Sequence, residues 1–344
     1  MQHLLVPYLV QQGRLNNRLL RVIRCLVAAT IAVVMTIFSF LTLGQMAIAN
    51  TNSDDITSLL RLTPRNSPLF ASQCDYQTKI LADNPIAYWR FGETSGVTAI
   101  NIGSLGNAVD GTYQGGVTLG QNGLVSGDSD TAASFDGIND RVKIPDNTAI
   151  NSGGPYNNRT IELWFKANTV SDRQILFEEG GEVRGMNIYI DAGKLYVNAY
   201  NLWPDGGGTT TPWGPKFIST SIAANTIYHA ALVFQADTTG PTTTLTGTIT
   251  GYLNGVSFGT VSGLGQLYYH YNDIGIGGVQ QNSYYHDNTG SNGYLADQFN
   301  GIIDEVVLFN DSLTSAQIQD HATPCPAPGP TPAPVYLPII LVNS

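Results

Sequence analysis

The sequence predicts an all-β fold, sheet packed on sheet, with one short helix near its C-terminal end. Three observations predict it. Charged residues are only 12% of the 344, about half the roughly 25% usual in globular chains. Glycine is abundant, at 37 residues, and short runs of alternating apolar and polar residues sit between Gly-, Asn- and Pro-containing turns. A 42% hydrophobic share is enough to bury one large core, so the chain as a whole is not disordered.

Residues 1–49 read as a signal peptide. Arg14, Arg18, Arg21 and Arg24 make a basic region, 25–43 is an apolar run, and Ala47-Ile48-Ala49 before Asn50 is a small-x-small cleavage pattern. The apolar run approaches the ~20 residues that span a bilayer, so an uncleaved membrane anchor is the alternative. Either way the arginines stay inside and the remainder is expected outside the cytoplasm, secreted or at the cell surface. Residues 50–75 lack periodicity and read as a leader or linker.

From residue 76 the texture changes. Residues 79–84 read as one helical turn. Strands are expected at 86–91, 131–135 and 141–144, the last ended by Pro145. Residues 160–167 make the clearest half-buried strand: Ile161, Leu163 and Phe165 point one way, and Thr160, Glu162, Trp164 and Lys166 the other. Trp164 would then face a second layer or the concave surface. Further strands are expected at 174–177, 186–190, 194–200, 226–235, 244–253, 256–260, 273–277 and 301–309. Asn254-Gly255 is a type I′ hairpin signal, and residues 191–193 make a similar turn. Thr314, with Gln317 three residues on, forms a capping box for a helix that stops before Pro324. No internal repeat is visible, so 76–322 is one large sandwich. Residues 323–334 read as a polyproline-like linker. Residues 335–344 are an apolar tail too short to cross a membrane.

Four blocks, in order, resemble the bacterial laminin-G-like jelly rolls. They are 87–96 (AYWRFGETSG), 134–142 (SFDGINDRV), 160–166 (TIELWFK), and 299–306 (FNGIIDEV) with 313–318 (LTSAQI). The resemblance implies a concanavalin-A-like antiparallel β-sandwich whose first and last strands are neighbours. It also implies a module that binds carbohydrates, proteins or cell surfaces, often with Ca²⁺.

Three cysteines occur. Cys25 leaves with the signal peptide, and Cys74 and Cys325 bracket the sandwich. An even pair in an exported protein favours a disulfide, which the neighbouring first and last strands would accommodate. Two free thiols are the alternative.

The formal net charge is −10. It is four charges more negative once residues 1–49 are gone, since they hold four arginines and no acid. Such a chain repels phosphate backbones, which argues against nucleic acid as a partner. Spare carboxylates suit Ca²⁺ instead, and Glu93, Asp136, Asp140 and Asp304 are the candidate ligands. Asx turns are the alternative role for the last three. The family's opening loop often carries an Asp where this chain has Asn101. The related glucanases carry a Glu-x-Asp-x-x-Glu strand that this chain lacks. Glu178, Glu179 and Glu182, around Gly180-Gly181, read as a solvated acidic loop. No nucleophile or metalloprotease motif is present, so the expectation is a protein that is not an enzyme. Two long stretches, 200–216 and 267–294, are rich in aromatic residues. Trp203, Trp213, Tyr268, Tyr269, His270, Tyr271, Tyr284 and Tyr285 are the candidate ligand-binding residues, because rings stack on sugar faces. Trp89 and Trp164 are assigned to structure. The partner expected is a glycan or another cell-surface ligand, with an adhesive protein-binding role and a glycoside hydrolase as the other readings.

Overall fold

A computed structural model describes residues 75–204, 211–239, 244–293 and 296–324. The expected signal peptide, the leader up to Cys74, Cys325, nearly all of the Pro-rich stretch and the apolar tail lie outside the described residues.

Two sheets of eight strands each stack face to face among the described residues, and every strand pair is antiparallel. The first runs β14 (Val256–Leu264), β13 (Gly247–Leu253), β12 (Ile227–Gln235), β7 (Asn158–Ala167), β18 (Asn300–Phe309), β5 (Thr131–Asp136) and β4 (Thr118–Asn122). The short β1 (Ala87–Trp89) shares the β5 edge of β18, pairing Trp89 with Val306. The second runs β11 (Trp213–Ser221), β10 (Lys194–Asn201), β9 (Arg184–Asp191), β8 (Gln174–Glu178), β15 (Ile274–Ile276), β6 (Arg141–Ile144), β3 (Gly111–Gln114) and β2 (Thr98–Ala99). First and last strands are neighbours, as expected.

Local signals fall where the residues dictate. Asn254 and Gly255 adopt φ of 50° and 77° between β13 and β14, the left-handed pair that a two-residue hairpin requires. Ala192 and Gly193 do the same between β9 and β10. Thr314 caps a helix over Ser315–His321 with a complete capping box. Asn101 organises the opening loop: its Oδ1 accepts from the Tyr88 and Gly103 amides, at 2.6 and 3.0 Å.

Side chains at period two fill the space between the sheets. Ile161, Leu163 and Phe165 of β7 meet Leu232 and Phe234 of β12, Ile188 and Ile190 of β9, and Trp89 of β1 in one cluster. Trp89 is fully buried and donates from Nε1 to Val109 O, at 2.9 Å.

Three expectations are corrected. The turn at 79–84 is a full helix, α1 (Tyr76–Ala82), capped by Asp75. The fold therefore has two short helices, the second being α2 (Ser315–His321). Strand β7 is not half-buried. Its outer face packs with both helices in a second cluster of Trp164, Tyr76, Ile80, Val307, Phe309 and Ile318. Trp164 faces that layer and donates from Nε1 to Tyr76 Oη, at 2.7 Å. Finally, β11 lies in a stretch read as the end of a loop, because Gly214-Pro215 hides its alternation.

A hairpin of β16 (Asn282–Tyr284) and β17 (Gly290–Asn292) covers β9 and β10 on the outer face of the second sheet. Asn187 and Asn198 each donate from Nδ2 to Tyr284 O, at 3.0 and 2.9 Å.

Trp164→Ala is expected to destabilise the protein by about 3–5 kcal/mol, the usual cost of emptying a large buried ring site. Urea unfolding at equilibrium measures it.

Candidate functional site

The sequence-derived aromatic set divides into two groups. Trp213 is buried and stacks on Phe234 with ring centroids 6.0 Å apart, so it belongs to the core. Tyr285 is fully buried beneath Arg173 and donates its hydroxyl to Asp297 at 2.6 Å. Tyr284 is part-buried against Tyr200. Tyr268 is part-buried, with its hydroxyl on Gln266. His270 is buried, its Nδ1 3.1 Å from Tyr268 O.

Trp203, Tyr269 and Tyr271 instead reach solvent, at 64%, 39% and 59% exposure. They sit on the loops after β10 and before β15, at one rim of the sandwich. Arg184, the first residue of β9, holds both loops. Its guanidinium donates to Tyr269 O at 3.0 Å and to Pro204 O at 2.6 Å, with Trp203 O at 3.4 Å, and lies over the Tyr269 ring at 5.2 Å. The Tyr269 and Tyr271 rings meet at 57°, 5.5 Å apart. The rim thus presents aromatic faces fixed by a buried cation rather than loose side chains. Sequence reasoning missed Arg184. An arginine set between a valine and a glycine, in a chain with so few charges, was the available signal.

Glu178 and Glu179 are not a solvated loop; both are buried, and only Glu182 is exposed. Glu178 ends β8 and accepts from the Gly180 amide and from the Gln280 amide at 3.0 Å. Burial pushes its carboxyl up to about 8, against the pull of those donors. Glu179 lies 3.7 Å from Arg159 Nε and 3.5 Å from His270 Nε2. Arg159 stands on β7 in the first sheet, so this pair ties the two sheets together below the aromatic rim.

The carboxylates proposed for Ca²⁺ do not converge. Glu93 accepts from the Ile100 amide and the Tyr113 hydroxyl, at 2.8 and 2.7 Å. Asp136 and Asp140 do share a turn, where Asp136 Oδ1 accepts from the Ile138 amide and Asp140 Oδ2 from the Asp136 amide. Asp304 Oδ2 accepts from the Leu124 amide at 2.7 Å. Among the described residues, no group of three or more His, Cys, Asp or Glu is placed to hold a metal ion. The acidic corner around Asp304 is organised by an internal cation instead. Arg90 pairs with Asp128, Asp130 and Glu305, at 2.7, 3.0 and 2.8 Å. The residues present therefore do not fit a Ca²⁺ bound by this set.

A polar cavity of about 410 Å³ opens at the start of β8, beside Gly137, Asp172, Gln174 and Asn300. Arg173 in its wall is committed to Asp191 and Asp287, at 2.6 and 2.8 Å.

A family model described as the concanavalin A-like lectin/glucanases superfamily, in its laminin-G form, matches residues 135–319. The chain belongs to this superfamily. Solved structures similar to this laminin-G-like chain include the botulinum neurotoxin serotype G binding domain, at 11% identity and a TM-score of 0.48, covering 70% of this chain and 50% of that one. The binding domain of botulinum neurotoxin DC in complex with SialylT has 12% identity and a TM-score of 0.46, covering 70% and 52%. Domain 4 of AbnA, a GH43 extracellular arabinanase from Geobacillus stearothermophilus, in complex with arabinotriose, has 15% identity and a TM-score of 0.44, covering 70% and 98%. The laminin-G-like chain spans about half the length of the toxin domains. No curated protein matches the sequence.

Two outcomes are expected. The thermal midpoint of this laminin-G-like protein will be the same in EDTA and in excess Ca²⁺, read by circular dichroism. Arg90→Ala will cost about 3 kcal/mol at pH 8, because it strands buried carboxylates, and less at pH 5. Burial raises the Glu305 carboxyl above its ordinary value even beside Arg90. Its favourable contribution is therefore complete below the ordinary carboxyl range and lost as pH rises through the raised value. Denaturant titration at the two pH values checks the difference.

Proposed function

We propose that the protein is an exported, non-catalytic binding module for uncharged glycan, and that Trp203, Tyr269 and Tyr271 form its contact surface. One observation carries the reading: these three rings stay exposed on a rim held by Arg184, while the other candidate rings are wholly or partly buried. A pyranose presents an apolar face of C–H groups that stacks on such rings, and its hydroxyls suit polar neighbours. Membership of a lectin and glucanase superfamily is compatible with that ligand class, although a fold alone names none.

The ligand is uncharged in this reading because the cation at the rim has little left to offer. The Arg184 donors are turned inward to loop carbonyls, and the chain carries a formal charge of −10. A sulfated or uronate-rich chain would meet net repulsion.

The absence of catalysis rests on the two buried glutamates. Hydrolysis needs a pair of carboxyl groups that flank a bound glycosidic bond, whereas Glu178 and Glu179 are both buried, Glu178 accepting from two backbone amides and Glu179 set between Arg159 and His270. Export rests on the arginine cluster and apolar run of residues 1–49. The Cys74–Cys325 bridge belongs to the same proposal. Lys79 donates to Asp320 O and Thr323 O, at 2.8 and 2.9 Å, so described residues near both ends lie side by side.

On an array of neutral and anionic glycans, binding is expected among neutral chains and little changed between 50 and 500 mM salt. Trp203→Ala or Tyr269→Ala should each weaken it roughly tenfold, about 1.4 kcal/mol, with no loss of stability. Binding only to anionic glycans, or binding unaffected by either substitution, would overturn the reading. So would capture of a protein partner with no glycan signal.

A further inference from the structure

A chain of four titratable side chains, three of them buried and Asp83 part-exposed, runs across the outer face of the first sheet, away from the aromatic rim. Glu162 of β7 is its centre. Its Oε1 is 3.0 Å from His321 Nδ1 on α2, and its Oε2 is 2.9 Å from His229 Nε2 on β12. The other nitrogen of His321, Nε2, is 3.0 Å from Asp83 Oδ2 at the C-cap of α1. Phe309 of β18 stacks on the His321 ring at 5.8 Å, and Trp164 meets His229 edge-on at 5.2 Å. Other charged or titratable groups face this junction: Tyr76, Lys79 and Asp320 directly, Tyr88 and Tyr252 from the same packed layer, and Glu305 and Asp304 through their charge on Tyr76. The Tyr76 hydroxyl takes the Trp164 N–H, and the Lys79 ammonium reaches Asp320 O, Thr323 O and, at 3.5 Å, the Asp320 carboxylate.

The protonation of His321 follows from this geometry. A neutral imidazole has one N–H and one lone pair. With a carboxylate against each nitrogen, the neutral ring would set its lone pair against an anion. Only the imidazolium donates to both, so in this arrangement His321 carries the positive charge. One cation thereby joins α1 and α2, from opposite ends of the described chain, to β7 in its interior.

We propose that Asp83–His321–Glu162 is a protonation-operated clasp, which holds α2 on the sandwich and releases it when His321 loses its second proton. The proton leaves from Nε2 past Asp83, whose carboxylate is 27% exposed, to water. Nδ1–H stays on Glu162. The Nε2 lone pair then faces the Asp83 carboxylate and the link between the helices becomes repulsive. Helix α2 is the weak member. It has seven residues, of which only Ile318 and His321 are buried, whereas β7 and β12 are zipped along their whole lengths.

The electrostatics has the matching sign. Burial alone would pull His321 down, but the hydrogen bond and charge of Glu162, and then Asp83, outweigh it and raise the imidazolium above its ordinary value of 6.5. The stabilisation is therefore complete below 6.5 and lost as pH rises through the raised value. Burial likewise opposes ionisation of Glu162, but its two histidine partners hold it below its ordinary value. Its contribution is present above the ordinary carboxylate value and fails only in stronger acid.

Hydrogen exchange of the full chain, read by mass spectrometry between pH 5 and 9 and corrected for intrinsic exchange, tests the clasp. Amides of α2 should lose at least tenfold protection as pH rises, while those of β12 keep theirs. In Asp83→Asn the amide accepts from the imidazolium or donates to the neutral ring, so the step should vanish with α2 protected throughout. Three results overturn the proposal: α2 protection flat with pH in the unaltered protein, α2 and β12 failing together, or an unchanged step in Asp83→Asn.

Discussion

The centre of the first sheet has no solvent face, and the rest of the structure is arranged around that constraint. Strands β7 and β18 face the second sheet on one side and the layer of terminal helices on the other. A polar side chain on either strand must find its partner inside the protein, since an unpaired buried charge is strongly destabilising. Three ionisable residues do so with a residue from a different part of the chain. Glu162 takes His229 and His321, Glu305 takes Arg90, and Arg159 takes Glu179. These pairs fix which segments lie together, and they hold α1, α2, β1 and β8 in place more specifically than apolar contact alone would.

The bulge in β18 shows how the constraint shapes the backbone. Register with β7 shifts between Asp304 and Val307, and Glu305 sits at a φ of 53°. An extra residue in one strand re-aims side chains there. It falls where β18 changes partner from β5 to β1, and it brings Glu305 to Arg90 while Asp304 accepts from the Leu124 amide. The guanidinium does the neutralising that a bound cation could otherwise do at such a corner. Here the sequence alone misleads: carboxylates counted along the chain suggest a metal, but the arginine among them, in the AYWRFGE block, lies too far away in sequence to be weighed against Asp304.

Features set by neighbours in the chain were legible. Asn254-Gly255 encodes its turn through φ, Thr314 and Gln317 encode their cap, and 160–167 encodes a strand by period two. The four family blocks then give the sandwich. Features set by distant segments were not legible. Nothing within 160–167 says that helices will bury Glu162 and Trp164. Gly180-Gly181 looks like a solvated turn until Arg159 arrives from the other sheet. Nor does an aromatic-rich loop reveal which rings will point outward: Trp203 and Trp213 stand ten positions apart, yet one is exposed and the other is core. Strand β11, beginning at Trp213, explains the difference, because a ring on a paired strand is driven inward by its register.

Coverage of the sheets also bears on the binding surface proposed above. On the first sheet the outer face is taken by α1 and α2. On the second, the β16–β17 hairpin lies over β9 and β10, and the amides of Asn187 and Asn198 are spent on Tyr284 O. A polar and aromatic sheet face that could have met a ligand is thus occupied by the chain itself. The proposed rim is a place where loops turn between strands and rings can be exposed without leaving backbone groups unpaired. Arg184 resolves the conflict inherent in such a place. By donating to carbonyls of both loops it satisfies backbone that the turns leave open, and the same bonds hold Trp203 and Tyr269 still. A rim fixed in this way loses little conformational freedom on binding, which is the physical advantage of a preformed surface over a flexible one.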